Sequence, residues 1–188
     1  ESYYWTKDRE FEKYLDLPQR RPVPFELAVG VDDETRRRLT GHGWRLRGSI
    51  DLSASATSYR DYIQRSRGEF TVARDQYVRP RTGWFSDRTA CYLAAGRPVI
   101  TEDTGFGKFI PTGRGLFAFK NMDDVLAAVD AGVADAGQIE LADEGDGGLA
   151  VAIGQRHDGI DGNSLGVHGL PRAVRGRKPL VPTYVYAK

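Results

Sequence analysis

Cysteine is almost absent from this chain. Cys91 stands alone among 188 residues, which excludes an internal disulfide and fits a reducing compartment. The three histidines, His42, His157 and His168, are scattered and give no zinc-ligand spacing. No apolar run approaches the roughly 18 residues of a spanning helix, and no signal-peptide pattern is visible. A cytoplasmic protein without a transmembrane segment is therefore expected. Net charge is only +1, so no global field argues for nucleic acid or an anionic membrane. Lysine is scarce as well. Six of the 27 basic residues are lysine and the other 21 are arginine. Arginine forks suit phosphate and carboxylate, although a GC-rich genome produces the same bias.

What is present fits a globular protein, with 40% hydrophobic and 28% charged residues. The length is that of one domain with an appended tail, long enough to bury a core. Residues 1–24 mix aromatic and charged side chains and end in LPQRRPVP, which reads as an extended linker. Tyr4, Phe11 and Tyr14 lie near helical spacing, so a short helix is expected within that segment. From Phe25 an alternation begins. FELAVG reads as a strand, and DDETRRRLTGHG as a helix capped by Asp32 or Asp33 and closed by Gly41. WRLRGS is a second strand, and TSYRDYIQRSRG an amphipathic helix. EFTVA, RPVIT and GLFAF are further strands. SDRTACYLAAG is a helix between Ser86 and Gly96, and MDDVLAAVDAGVADA a helix capped by Asn121.

Short apolar strands alternating with helices predict an α/β, three-layer, Rossmann-like parallel sheet over residues 25–136. Residues 137–188 are glycine-rich and read as a tail of irregular structure, with a candidate strand at 149–153. In such sheets ligands bind beyond the carboxyl ends of the strands. Residues 74–86 and 102–108 both follow strands and belong to that edge.

The first of these loops carries Gly83, which permits close backbone approach. Ser86, Asp87 and Arg88 open a helix whose free N–H groups and partial positive charge favour phosphate. Arg88 adds a charged fork. The blander reading is a capped helix with a solvated arginine. The second loop offers Asp103, Thr104 and Gly105, suited to sugar hydroxyls, or else an ordinary turn. Its GxG lacks the third glycine of a dinucleotide fingerprint. Arg74, Arg79 and Arg81 form a basic loop beside both. Glu69, Glu102 and Asp103 are candidate general bases, with no sequence signal that two of them converge. There is neither a P-loop nor a Ser/His/Asp arrangement, and the catalytic residues are unknown at this level.

Taken together, FELAVG, GHGWRL, YRDYIQRSRGEFTVA, YVRPRTGWFSDRTACYLAAGRPVITEDTGF and PTGRGLFAF resemble the C-terminal, donor-binding half of bacterial, family-1-like GT-B glycosyltransferases. The resemblance implies a nucleotide diphosphate sugar as donor substrate, with no cofactor and no bound metal. It implies Ser86, Asp87 and Arg88 at the diphosphate, and Asp103, Thr104 and Gly105 near the sugar. Cys91 stands where many relatives carry a ribose-binding glutamate, and cysteine cannot hold two hydroxyls as a carboxylate does. Twenty-four residues ahead of Phe25 are too few for an acceptor domain, so a separate acceptor domain or a homodimer is the expected partner. The tail lacks the amphipathic terminal helices of such relatives. Other readings of the same fold are a non-catalytic nucleotide or sugar-phosphate module and an interaction protein docking through Tyr3, Tyr4 and Trp5. A sugar-nucleotide epimerase would need an acid/base pair that the sequence does not display.

Overall fold

The computed structural model describes residues 2, 3, 5–136 and 149–152. Apart from residues 149–152, the tail lies outside the described residues. The chain opens with two short helices, α1 (Asp8–Glu12) and α2 (Leu17–Arg20), and then enters the alternation. β1 (Phe25–Ala28), α3 (Asp33–Gly41), β2 (Arg45–Arg47), α4 (Ser49–Leu52), α5 (Ala56–Arg65) and β3 (Gly68–Thr71) follow. Next come α6 (Asp75–Val78), α7 (Asp87–Ala94), β4 (Val99–Glu102), β5 (Leu116–Phe119), α8 (Met122–Ala136) and β6 (Leu149–Ala152).

All strand pairs among the described residues are parallel. β1 pairs with β2, while β3, β4 and β5 pair in succession. β6 lies between β1 and β3, giving the order β2-β1-β6-β3-β4-β5. Every residue of β1, β3 and β4 is buried, as expected where layers cover both faces of a parallel sheet. One face carries Phe25, Leu27, Phe70, Ile100 and Phe119, packed beneath Phe11, Tyr14, Leu17, Val125 and Val129. The other carries Ala28, Val99 and Leu116 beneath Tyr62, Ile63 and Tyr92 of α5 and α7.

Local chemistry explains the helix starts. The Asp32 carboxylate accepts the Thr35 N–H at 2.8 Å and so caps α3. Ser55 and Ser58 form a reciprocal capping box at α5. Asn121 accepts the Asp124 N–H at 3.0 Å and opens α8. Each bond satisfies a donor that the helix itself leaves unpaired. Asp32, rather than Asp33, is thus the cap of α3.

The N-terminal segment differs from the extended linker read from its prolines. Pro18 sits in the first turn of α2, where its missing N–H costs nothing. Leu17 is wholly buried. Tyr14 meets Phe70 and Phe119 edge-on, at centroid separations of 6.0 and 5.1 Å. The Trp44 indole N–H donates to the Leu15 carbonyl at 2.7 Å. These contacts make the segment part of the core of one face. Tyr14→Ala should therefore cost about 3–5 kcal/mol, as for a large aromatic truncated in a core. Denaturant titration should show a lowered midpoint at unchanged slope; a loss below about 1 kcal/mol would place the segment outside the cooperative core.

Candidate functional site

The carboxyl edge of β3 and β4 is built from two loops stitched together by backbone. The Gly83 N–H donates to the Thr104 carbonyl at 2.8 Å. In return the Thr104 hydroxyl donates to the Trp84 carbonyl at 2.6 Å. Gly83 has φ +79 and Gly105 φ +92, both in the left-handed region that favours glycine. A Cβ on Gly105 would lie 3.0 Å from the Arg81 carbonyl oxygen. Backbone packs on backbone at that point, and Arg81 itself has φ +53.

Asp103 organises the open side of this edge. Its carboxylate accepts the Gly105 N–H at 2.7 Å and pairs with Arg81 at 3.1 Å and Lys120 at 3.6 Å. Burial works to raise its pKa, but these donors outweigh burial and hold it below the usual carboxylate value. Asp103 is the hub of a cleft of about 620 Å³, lined by Arg81, Gly105, Lys108, Gly113 and Lys120 and floored by Phe117 and Ala118 of β5. Three cations therefore border the cleft together with Asp103 and Asp124.

Arg88 lies elsewhere. It is 6% exposed. Its Nε donates to Glu69 at 2.6 Å and its Nη2 to Thr71 at 3.1 Å. Ser86 is buried at the N-cap of α7 and makes no side-chain capping bond there, while Asp87 is exposed. Of the seven residues assigned to ligand binding from the sequence, Asp103 and Gly105 line the cleft, as does Arg81 of the basic loop. Gly83 and Thr104 hold its two loops together. Ser86, Asp87 and Arg88 belong to the neighbouring start of α7. Cys91 is exposed, and burial leads the effects that push its thiol pKa up.

One group at this edge was invisible to pattern reading, and one of the candidate bases proves to be buried. Lys7 is buried, and its Nζ donates to Thr71 at 3.3 Å and sits 5.6 Å from the Trp84 ring centre. Burial, then the Arg88 guanidinium, hold its pKa well below the ordinary ammonium value. Glu102 is buried at the end of β4 and accepts the Ala73 N–H at 2.9 Å. Its pKa is pushed up to about 8, chiefly by burial and further by the Glu10 carboxyl. A lysine in an aromatic, charged segment looks like a surface residue until the segment is known to cross a sheet edge. Lys108 and Lys120 gave no motif at all.

No family model, curated protein or solved structure matches the chain. No group of three or more metal-ligating side chains occurs among the described residues. Among them too, no helix is long and apolar enough to cross a membrane.

The pairing of Arg88 predicts a stability effect. Arg88→Ala would leave the Glu69 carboxylate uncompensated at 0% exposure, at a cost of about 3–5 kcal/mol. The apolar double variant Arg88→Met with Glu69→Leu should recover most of that loss in thermal and denaturant unfolding. A single variant as stable as the parent would show that the pair does not hold α7.

Proposed function

We propose that this chain is the donor-binding domain of a GT-B-type glycosyltransferase and takes a nucleotide diphosphate sugar at the carboxyl edge of its sheet. The observation that carries the reading is the cleft organised by Asp103, where Arg81 and Lys120 are held on one carboxylate beside a glycine-lined loop. Phosphate oxygens fit the cations, Arg81 as a fork and the two lysines as point charges. Asp103 and the backbone around Gly105 fit sugar hydroxyls. The start of α7 adds its partial positive charge from the adjacent loop.

In this reading Arg88 acts through position. It locks α7 to β3, so that the N-terminal N–H groups of the helix stay aimed at the edge. Charge developing on the leaving diphosphate would be stabilised by fixed donors around the cleft, an electrostatic contribution that needs no reorganisation during reaction. The base that activates the acceptor would come from the acceptor-binding half of such an enzyme. A non-catalytic nucleotide or sugar-phosphate module shares the same site and differs only in lacking turnover.

Calorimetric titration with a panel of nucleoside diphosphates and their sugars tests the reading. At least one should bind, and Arg81→Ala should weaken it by about 1.5–3 kcal/mol, as for a charged hydrogen bond. If no member binds at millimolar concentration, the donor reading fails. Binding without transfer, in the presence of any acceptor partner, would favour the non-catalytic module.

A further inference from the structure

β5 ends the sheet on one side, with no strand beyond it among the described residues. In a parallel ladder the backbone groups of successive residues point alternately to the two neighbours. The carbonyls of Gly115 and Phe119 accept the N–H groups of Val99 and Asp103, each at 2.8 Å, so these positions and Phe117 between them face β4. Leu116, Ala118 and Lys120 turn their backbone groups to the open side.

Two of these three are engaged. Gly113 has φ +102, which folds the loop back so that its N–H meets the Leu116 carbonyl at 2.8 Å, and Leu116 is buried. The Lys120 N–H donates to the Asp124 carboxylate at 2.9 Å. Ala118 lies between them. It is exposed and lines the cleft, and its outward N–H and C=O meet no backbone partner among the described residues.

On the donor-binding reading, from which this step proceeds, we infer that Ala118 is the base-reading subsite of the cleft. Its N–H and C=O hold the edge of a planar nucleobase whose ribose and phosphates run on toward Lys120 and Arg81.

A backbone residue offers one donor and one acceptor, and in a strand both point the same way. Nucleobases carry the complement, an N–H beside a carbonyl oxygen or ring nitrogen. The base N–H donates to the Ala118 carbonyl, and the adjacent base acceptor takes the Ala118 N–H. Lys120 lies two residues on, about 7 Å along a strand, a span that ribose bridges between base and phosphate. Ala127 and Ala128 of α8 and Thr112 of the preceding loop line the same cleft, and these short side chains leave room for a flat ring. The volume of about 620 Å³ is that of pockets enclosing small ligands. An added peptide strand fits less well. Strand addition uses a run of outward backbone groups, and here Gly113 and Asp124 close the run on either side of one residue.

Proline at position 118 removes the outward N–H and spares the β4 ladder, which runs through Phe117 and Phe119; edge strands tolerate proline where the N–H faces outward. The full chain is titrated calorimetrically with uridine, guanosine, adenosine and cytidine diphosphates and with inorganic pyrophosphate. The tightest nucleotide should bind the parent at least about tenfold more tightly than pyrophosphate does. Ala118→Pro should weaken that nucleotide by about tenfold and leave pyrophosphate within about twofold, whereas Arg81→Ala weakens both. Exchange of the parent's Ala118 amide, resolved by NMR, reads the same bond without any variant. It should slow by at least about tenfold with saturating nucleotide and stay unchanged with pyrophosphate. Nucleotide bound no more tightly than pyrophosphate, with the Ala118 amide unprotected by either, overturns the base subsite and leaves the phosphate site standing. A well-folded A118P that binds the nucleotide as tightly as the parent overturns it as well. If no probe binds at all, the donor-binding reading falls and the subsite with it.

Discussion

A guanidinium with almost no access to water must meet a carboxylate, and the ion pair between Arg88 and Glu69 anchors the rest of the edge. Glu69 belongs to β3, in the middle of the sheet, and Arg88 to the first turn of α7. Their 2.6 Å contact ties helix to strand at a point where either partner alone would be an uncompensated charge. Once α7 is fixed, the loop that enters it is fixed as well. That loop holds Gly83, whose N–H binds Thr104 of the next loop, and Gly105 then packs against the Arg81 backbone. The cleft is the last member of this chain of dependence. The second Glu69 oxygen, Oε2, is buried without a hydrogen-bond partner among the described residues, so the arrangement fixes geometry at some expense in stability.

The N-terminal segment explains where the open part of the edge lies. Tyr14, Leu15 and Leu17 fill one face of the core. To reach that face from the other, the backbone has to pass over the carboxyl ends of β3 and β4. Lys7 and Glu10 accompany it and bring a buried cation and a buried acid to an edge that would otherwise stand open. In a parallel sheet this edge is where ligands enter. With residues 7–10 lying across β3, the accessible stretch shifts toward β4 and β5, where the cleft of Arg81, Asp103 and Lys120 is found. The same covering accounts for the burial of Thr71 and Arg88.

Much of the architecture was legible because its signals are local. Asp32, Ser55 and Asn121 cap helices through bonds to residues three positions away, and FELA, VITE and LFAF are strands wherever they pack. The cap at Ser86 illustrates the limit of such signals. Its residue type marks the start of α7 correctly, yet its side chain makes no capping bond. What escaped the sequence depends on partners far away in the chain. Prolines at 18, 22 and 24 suggest an extended linker, but the burial of Leu17 and the indole bond from Trp44 override that local preference. Arg88 looks like a helix-start arginine free to bind phosphate. Its contact with Glu69, nineteen positions earlier, follows only once α7 is laid on β3. The bond from Lys7 to Thr71 spans 64 positions, and no spacing rule announces it.

The lone pairs of Asp103 bear on which ligand chemistry the cleft favours. Oδ1 accepts the Gly105 N–H at 2.7 Å and a longer contact from Arg81 at 3.4 Å. Oδ2 meets Arg81 at 3.1 Å and Lys120 at 3.6 Å. With both oxygens engaged, a purely neutral sugar would have to compete with two cations for the same carboxylate. A purely anionic ligand would draw the cations away and leave Asp103 desolvated with little but the Gly105 N–H. A ligand that carries both groups resolves the conflict. Its phosphate oxygens take Arg81 and Lys120, and its hydroxyls take the lone pairs these release, so that no buried polar atom is left unpaired. Under the donor-binding reading, charge and hydroxyl recognition at this cleft are therefore coupled through one carboxylate, and a sugar joined to a diphosphate satisfies the site better than either half alone.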